Sequence, residues 1–303
     1  MPLKPVAVLY EHPAWFESLF EELERRQVPH ARLFVPHHGY DPAERQIPYS
    51  VVVNRMSAYP SGGSHPTIIL YVKQFLAHLQ RLGANVINGY ASYLVGASKA
   101  MQLDLFEQLG VAYPRARVIH HPSQAMRAAE GLAFPVVIKP NVGGSGAGIL
   151  KFDHPDELAA AARAGAIDLG IDHVALVQEF LPARDGVIAR VEILDGEFLY
   201  AIRLPVADHS FNYCPADGCQ VDDPNLVVES FLPAPEIIDT VKRILALSQA
   251  DLGSVEYLVD ERDGRIVYYD INPLSNFVAG APDMLGFDPT AQFVDYILKR
   301  AGL

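Results

Sequence analysis

The sequence feature that most constrains this chain is a lysine followed by a glycine-rich loop between two short apolar runs. It occupies residues 134–152, FPVVIKPNVGGSGAGILKF. The run 136–138 predicts a strand that leads to Lys139, and the loop after it contains Gly143, Gly144, Gly146 and Gly148. Glycines let a backbone approach phosphate oxygens closely, so that successive N–H groups converge on one anion, and the lysine adds a positive charge. A hairpin tip without a ligand is the alternative for the loop taken alone.

Two other glycine motifs are excluded by their context. A dinucleotide-binding fingerprint needs glycines that open a helix, whereas residues 149–152 predict a strand. A P-loop needs Gly-Lys-Ser/Thr, and the sequence contains no Gly-Lys pair. Strand, lysine, glycine loop and strand together predict a hairpin lid that closes over phosphates.

Composition limits the class of protein and its partners. With 303 residues, 50% of them hydrophobic, the chain can bury a large core, which indicates one multi-lobed enzyme or two domains. The first apolar run is too short for a signal peptide, no segment has the length of a membrane span, and two cysteines are too few for a disulfide framework. We therefore expect a cytoplasmic protein without a membrane partner.

The net charge of −12 argues against a nucleic-acid partner. A nucleotide phosphate would need locally concentrated cations, for which the sequence offers Lys99, Lys139, Arg190 and Arg203.

Strands and helices alternate in the first part of the chain. Apolar patterning predicts strands at 6–10, 31–35 and 50–53 and helices at 16–23 and 65–82. This alternation predicts a parallel α/β lobe. Arg55 follows a predicted strand, where ligands of open α/β sheets bind. A surface arginine and a substrate contact both remain open for it.

The rest of the chain predicts helices joined to antiparallel hairpins. Helices are expected at 94–109, 156–163 and 235–250, and a strand at 173–180. Asp195-Gly196 between two β-rich runs, 187–194 and 197–204, is a strong hairpin signal. The polar loop 206–223 contains His209, Cys214 and Cys219, whose spacing falls short of a zinc pattern, so we expect it to shape the substrate site or to be structural.

The last predicted hairpin, strands 253–260 and 265–272, brings two carboxylates together. A three-residue loop, 262–264, would put Glu256 opposite Asp270, with Asn272 two residues along the same face. A two-residue turn would put the two carboxylates on opposite faces.

Two like charges about 4 Å apart repel by roughly 4 kcal/mol at an effective dielectric constant of about 20, so such a pair binds a proton or a cation. Oxygen ligands from Glu256, Asp270 and Asn272 suit Mg²⁺, which leaves its other positions to water and phosphate. Solvated carboxylates on an exposed face are the alternative, and it suits Asp260 and Asp263 better, because Asp270 lies in an apolar run.

From residue 94 to the C-terminus the chain resembles the ATP-grasp superfamily, most closely its RimK-like branch of amino-acid and peptide ligases. The ordered segments that carry the resemblance are the helix with Lys99, the Lys139 glycine loop, the strand end VQEFL at 177–181, the Asp195-Gly196 hairpin and DINP at 270–273. The resemblance implies an α/β protein with α+β lobes. These are a parallel N-terminal lobe at 1–93, a central glycine-loop lid lobe at 94–175 and an antiparallel C-terminal lobe with the metal site at 176–303.

The resemblance also implies roles for individual residues. Lys99 and Lys139 would contact ATP phosphates, and the backbone at 178–181 would pair with the adenine edge. The family pattern Glu-x-Asn-Pro appears here with Asp270 in place of the glutamate, and an acid expected two residues before the first arginine is replaced by Ile188. The nearest acid is Asp185, so its ribose-binding role stays open. The nucleotide-binding residues are then Lys99, Lys139, Gly143, Gly144, Ser145, Gly146, Gln178, Glu179, Phe180, Leu181 and Asp185.

The activity implied by the resemblance is ATP-dependent ligation of a carboxylate to an amine through an acyl phosphate. Arg190 and Arg203 would be the catalytic pair that holds the carboxylate, with Mg²⁺, or Mn²⁺ in its place, on Glu256, Asp270 and Asn272. The partner would be a small amino-acid or peptide substrate, and a homodimer stays open. Two alternatives are an ATP-grasp kinase for a small molecule and a non-catalytic ATP-binding regulatory module. The acidic chain offers no basic pocket for a polyphosphate substrate, and a binding module needs no metal ligands.

Overall fold

The structure, a computed structural model, describes residues 4–59, 67–144, 146–205, 228–278 and 280–303. Its first sheet is parallel, in the order β2–β1–β3–β4, and helices cover both faces. The strands VAVLY and VVVN are buried along their whole length, which is typical of parallel strands covered on both sides. The elements are β1 (Val6–Tyr10), α1 (Glu17–Arg25), β2 (His30–Phe34), β3 (Val51–Asn54), α2 (Ile68–Arg81) and β4 (Val86–Ile87).

The second sheet is antiparallel, in the order β5–β8–β6–β7, and we call it the lid sheet. Two helices close the core on one of its faces, where Ile138, Leu158 and Val177 are buried. The pairing of Val137 with Gln178 places these side chains, with Lys139, on the other face. The elements are β5 (Ala116–Ile119), α5 (Ala125–Ala128), β6 (Val136–Pro140), β7 (Leu150–Phe152), α6 (Pro155–Ala164) and β8 (Ala175–Glu179).

The third sheet is antiparallel, in the order β11–β10–β9–β12–β13, and we call it the C-terminal sheet. At its Asp195-Gly196 turn both residues have positive φ, +54° and +75°, as the dipeptide predicts. The elements are β9 (Ala183–Leu194), β10 (Glu197–Pro205), β11 (Glu229–Ser230), α7 (Pro235–Leu247), β12 (Leu252–Asp260), β13 (Ile266–Asn272), α8 (Ala281–Leu285) and α9 (Pro289–Ala301). The predicted loop at 206–223, with His209, Cys214 and Cys219, lies outside the described residues.

The single helix predicted at 94–109 is wrong, because the structure has two helices there, α3 (Tyr90–Gly96) and α4 (Lys99–Leu109). Ser98 adopts an extended conformation and its side chain accepts a hydrogen bond from the Met101 N–H, so it caps the second helix. Phe106 of α4 packs into the core on the C-terminal sheet, together with α7. Helix α4, which carries Lys99, therefore packs on the C-terminal sheet. The domain boundaries remain predictions.

Asn88 joins the first sheet to the C-terminal sheet. It follows β4 with a positive φ of +54° and is buried. Its amide nitrogen donates to the carbonyls of Leu252, at 2.7 Å, and Pro273. Its oxygen accepts from the N–H groups of Asp251 and Leu252, at 2.8 and 3.1 Å. One side chain therefore makes four hydrogen bonds across this boundary.

Within the described ranges, none of the helices combines the length and apolar character of a membrane span.

Candidate active site

Lys139 is the penultimate residue of β6, on the open face of the lid sheet, and is buried, with 7% of its surface exposed. Burial lowers its pKa to about 8, and the positive charge of Lys99 acts in the same direction. Asp270 and Glu256 are close enough to act in the opposite direction. A buried lysine in this environment favours a further anionic partner.

Lys99 is the first residue of α4, and its Nζ connects the glycine loop to the C-terminal sheet. It donates to the carbonyl of Gly143 at 2.5 Å and lies 3.7 Å from a carboxylate oxygen of Asp270. Asn141 fixes this arrangement, because its side-chain oxygen accepts from the N–H of Ala100 at 2.9 Å and its carbonyl accepts from the N–H of Lys99 at 3.1 Å. The positive end of the α4 dipole therefore lies beside the loop that follows Lys139.

The glycine loop packs against the N-terminal lobe. A Cβ placed on Gly144 would come within 2.4 Å of the Tyr59 ring, so only glycine allows this approach. Gly146 and Gly148 have positive φ, +71° and +73°, which glycine adopts without strain. Ser145 lies outside the described residues.

Glu256 and Asp270 are directly opposite each other, as the sequence predicts, but the predicted reason is wrong. Near the turn Val259 pairs with Ile266, a register that would put Tyr269 opposite Glu256. Tyr257 still pairs with Tyr268 in this register. A β-bulge between Tyr257 and Glu256 then shifts the register by one residue, so that Glu256 pairs with Asp270. The loop is thus one residue longer than expected, and the bulge restores the pairing.

The donor set at this pair fits a magnesium ion that also binds phosphate. The amide of Asn272 lies within 3.4 Å of Glu256, on the same face of the hairpin. In the part of the chain that the structure describes, no group of three or more His, Cys, Asp or Glu is placed to hold a metal. Two carboxylates and an amide match Mg²⁺, which takes few protein ligands and keeps positions for phosphate and water.

Arg190 lies opposite Glu256 on the neighbouring strand and is buried. Its Nε donates to Glu192 at 2.8 Å and its Nη2 donates to the hydroxyl of Ser275 at 2.8 Å. That hydroxyl in turn donates to the second oxygen of Glu192. Glu192 is fully buried, and sequence analysis missed it. Its position two residues after Arg190 on a strand, hence on the same face, is the signal that could have found it.

Arg203 is not part of this cluster. It pairs with Ala189, whereas the residue opposite Arg190 is Ile202, so the two arginines lie on opposite faces of the C-terminal sheet. Arg203 is exposed and its guanidinium lies 4.3 Å from the centre of the Phe231 ring. The predicted arginine pair therefore needs correction, because a register shift between Phe198 and Tyr200 turns Arg203 to the face opposite Arg190.

The expected adenine segment lies at the end of β8. Glu179 has a structural role, since its carboxylate accepts from the Ala133 N–H at 2.9 Å and from Arg115 at 3.2 Å. The N–H of Phe180 donates to the carbonyl of Pro135, and Leu181 follows it. Gln178 faces the same side as Lys139, and its buried side-chain oxygen has no hydrogen-bond partner among the described residues.

Asp185 is exposed at an irregularity of β9, where it and Gly186 both have positive φ, +56° and +61°. A ribose-binding role for this carboxylate remains a prediction.

Arg55 lies in the interior rather than on the surface. It is 4% exposed, and its Nη2 donates to the carbonyl of Ser275 at 2.7 Å and to the side chain of Asn276 at 3.2 Å. Burial lowers the pKa of Arg55 to about 10, and the negative charge of Glu192 acts in the opposite direction. Of the two alternatives for Arg55, the surface arginine is wrong, and the substrate contact stays a prediction.

The family comparison matches residues 96–230 to the RimK-like ATP-grasp domain. The match covers a little less than half of the chain. This domain contains Lys99, Lys139, the glycine loop and Arg190, whereas the carboxylate pair lies beyond its end.

The chain is also similar in sequence to a ligase. The chain is 28% identical over 212 residues to D-alanine–D-alanine ligase A of Bradyrhizobium diazoefficiens, a match that covers 65% of this chain and 55% of the relative. The chain thus spans about half the length of that relative.

Two solved structures superpose over almost the whole chain. The first is the ATP-grasp ligase PsnB in complex with a phosphomimetic variant of its minimal precursor, Mg and ADP, with a TM-score of 0.67, 18% identity and 99% coverage of both chains. The second is D-alanyl-alanine synthetase A of Vibrio cholerae, with a TM-score of 0.72, 13% identity and 100% coverage of both. The three sheets together are therefore the ATP-grasp fold, in which the RimK-like domain accounts for the lid sheet and the first strands of the C-terminal sheet.

Proposed function

We propose that this chain is an ATP- and Mg²⁺-dependent ligase that joins a carboxylate of an amino acid or peptide to an amine through an acyl phosphate. The observation that carries the proposal is the convergence of Lys99 and Lys139 on the facing carboxylates Glu256 and Asp270. Two cations beside two carboxylates suit a nucleotide phosphate chain bound with a divalent ion. The ligase names of the relatives support the same class of reaction.

ATP would lie between the open face of the lid sheet and the C-terminal sheet. The buried oxygen of Gln178 would accept a hydrogen bond from the exocyclic amine of adenine, which would remove an unsatisfied polar atom. Lys139 and Lys99 would hold the phosphates, with the start of α4 and the glycine loop beside them.

The metal would be held by Glu256, Asp270 and Asn272, and when bound it neutralises charge on the transferring phosphoryl group. The protein holds Arg190 next to these ligands by its bonds to Glu192 and Ser275. Its guanidinium charge would orient the substrate carboxylate and stabilise negative charge when the amine attacks the acyl phosphate. Arg203 has no part in this step.

The reaction can be tested with hydroxylamine. A carboxylate attacks the γ-phosphate of ATP, which releases ADP and forms an acyl phosphate. A strong nucleophile then replaces phosphate at the acyl carbon. A panel of amino acids and dipeptides, screened for substrate-dependent ADP release, would first identify the acid. With that acid, ATP and Mg²⁺, hydroxylamine should then give a hydroxamate with ADP and phosphate in equal amounts.

Other outcomes distinguish the alternatives. A kinase would give ADP and a stable phosphorylated product, without hydroxamate or free phosphate. A regulatory module would bind ATP without forming ADP. If the whole panel gave neither ADP nor hydroxamate while ATP still bound, the ligase proposal would be wrong.

A further inference from the structure

Arg55, Arg190, Glu192 and Ser275 form one buried network between the N-terminal lobe and the C-terminal sheet. Ser275 is its centre, because its hydroxyl contacts Arg190 and Glu192 and its carbonyl accepts from Arg55. The three charged members are 4%, 6% and 0% exposed, in the order Arg55, Arg190 and Glu192. Among the described residues, these two guanidinium groups share a single carboxylate, that of Glu192.

The guanidinium of Arg55 has donors without acceptors. Its Nη2 is hydrogen-bonded, whereas Nε and Nη1 are buried and have no hydrogen-bond partner among the described residues. Its central carbon lies 5.1 Å from the centre of the Phe16 ring and 5.4 Å from that of Phe293. Aromatic faces attract the charge but accept no ordinary hydrogen bond. Burying charged donors in this state is costly unless an anion completes the site.

The position of Arg55 also points to a ligand. It directly follows β3, and its N–H donates to the carbonyl of Leu9 on β1, so it lies at the carboxyl edge of the parallel sheet. Ligands of open α/β sheets bind at that edge. Ser275 stands between Arg55 and Arg190, and Arg190 is the arginine next to the metal ligands. Arg55 is therefore set back from the phosphate side of the site.

We propose that the guanidinium of Arg55 binds the substrate carboxylate that does not react, so that one substrate is an amino acid or peptide with a free carboxylate. The proposal deepens the ligase assignment and rests on it only for the statement that this carboxylate does not react. The carboxylate comes from the amine-bearing acceptor or from a second acid group on the donor. In both cases a guanidinium stays charged when buried more readily than the ammonium of a lysine does.

Ligand binding without ATP tests the inference directly. Free amino acids and their α-carboxamides, at millimolar concentration, would be compared by their effect on the melting temperature. We expect at least one acid to raise the melting temperature while its amide does not. Arg55→Gln and Arg55→Lys should weaken the binding of that acid by roughly tenfold or more, since hydrogen bonds to a charged group are lost.

The matched control is Arg32→Gln. Arg32 belongs to the same lobe and its guanidinium lies 4.0 Å from the centre of the Phe20 ring, but it is half exposed and bonded to Glu24. This variant should bind the acid as the wild type does. The inference is wrong if acids and amides act alike across the panel, if no acid acts at all, or if Arg55→Gln keeps the response.

A second measurement removes the dependence on a folded variant. In wild-type protein labelled with ¹⁵N-arginine, the Nε–H signal of Arg55 should shift when the acid is added and not when the amide is added. An unshifted signal at saturating acid would overturn the proposal even if Arg55→Gln did not fold.

The hydroxylamine reaction separates the two sources of the carboxylate, because it needs only the donor. Arg55→Gln should keep hydroxamate formation if Arg55 holds the acceptor and lose it if Arg55 holds the donor. If no acid gives ADP but an acid still binds through Arg55, the ligase proposal falls and this inference stands. If hydroxamate forms but acids and amides bind alike, the inference falls and the ligase stands.

Discussion

Glu256 lies directly opposite Asp270 because Tyr269 is the extra residue of a β-bulge in β13. Without that bulge the hairpin register would put a tyrosine opposite Glu256 and turn Asp270 to the other face. The two carboxylates are instead held on the face that carries Arg190. The bulge thus decides whether the donor set for a metal exists.

The metal site can be tested at Asp270. Asp270→Asn should abolish turnover and weaken Mg²⁺-dependent nucleotide binding, because it removes a charged oxygen ligand. The side chain is partly exposed, so we expect the variant to melt near the wild-type temperature. Nucleotide titrations with and without Mg²⁺, and a melting curve, would measure both effects. Asp263→Asn, at the exposed turn of the same hairpin, is the control. Full activity of Asp270→Asn would remove this residue from the metal site.

The two arginines on the β9–β10 hairpin should behave differently. Arg190→Ala should abolish turnover and lower the free energy of unfolding by about 3–5 kcal/mol, because it removes the ion-pair partner of the buried Glu192. Arg203→Ala should change the free energy of unfolding by less than about 1 kcal/mol and keep the activity, because the side chain is exposed on the other face. Denaturant unfolding and steady-state rates would measure both. A large loss of turnover in Arg203→Ala with normal stability would restore the predicted pair.

Lys139 should make nucleotide binding depend on pH. Its pKa is about 8 in the ligand-free protein and 10.5 in an exposed lysine, so between these values the unfolded chain binds more protons than the folded chain. The free energy of unfolding should therefore increase as pH rises from about 8 to 10.5. Below about pH 8 the folded protein keeps the buried lysine charged, which lowers the free energy of unfolding.

Nucleotide phosphates favour the charged lysine, so ATP binding near pH 8 should take up a proton and weaken as pH rises further. Calorimetry in buffers of different ionisation enthalpy would count the proton. Lys139→Arg, which stays charged, should remove the uptake. Equal proton uptake in the two proteins would assign it to another group.

The approach of the glycine loop to Tyr59 predicts different tolerances at neighbouring glycines. Gly144→Ala should raise the KM for ATP by roughly tenfold, because its methyl group would overlap the Tyr59 ring and displace the loop. Gly143→Ala is the matched control, since its Cβ would have no atom nearer than 3.8 Å. Adding Tyr59→Ala to Gly144→Ala should restore part of the affinity. Equal KM values for the two single variants would show that this contact does not position the loop.

Local patterns in the sequence predicted most of the fold. The parallel lobe followed from buried apolar runs alternating with helices, and the β9–β10 hairpin from Asp195-Gly196. The ATP-grasp fold was predicted from the order of the segments after residue 94. The break before Lys99 carried a local signal as well, because Ser98 is a favoured N-cap residue.

The parts of the site that the sequence did not predict depend on contacts between distant segments. Arg55 meets Ser275 across 220 residues, and Ser275 meets Glu192 across 83, so no local pattern joins them. Arg203 faces away from Arg190 because the strand register shifts between Phe198 and Tyr200, and this shift is visible only in the strand pairing. The bulge at Tyr269 has no glycine to mark it and is visible only in the register.

The four hydrogen bonds of Asn88 have a consequence for how the protein handles its substrates. They connect the first sheet, in which Arg55 follows β3, to the strands β12 and β13, which carry Glu256 and Asp270. The separation between the carboxylate site proposed at Arg55 and the proposed metal site is thus set when the chain folds, and binding energy need not be used to bring two lobes together. Such a fixed separation acts as a molecular ruler: a substrate one methylene too long or too short would keep its carboxylate contact and lose its alignment for reaction.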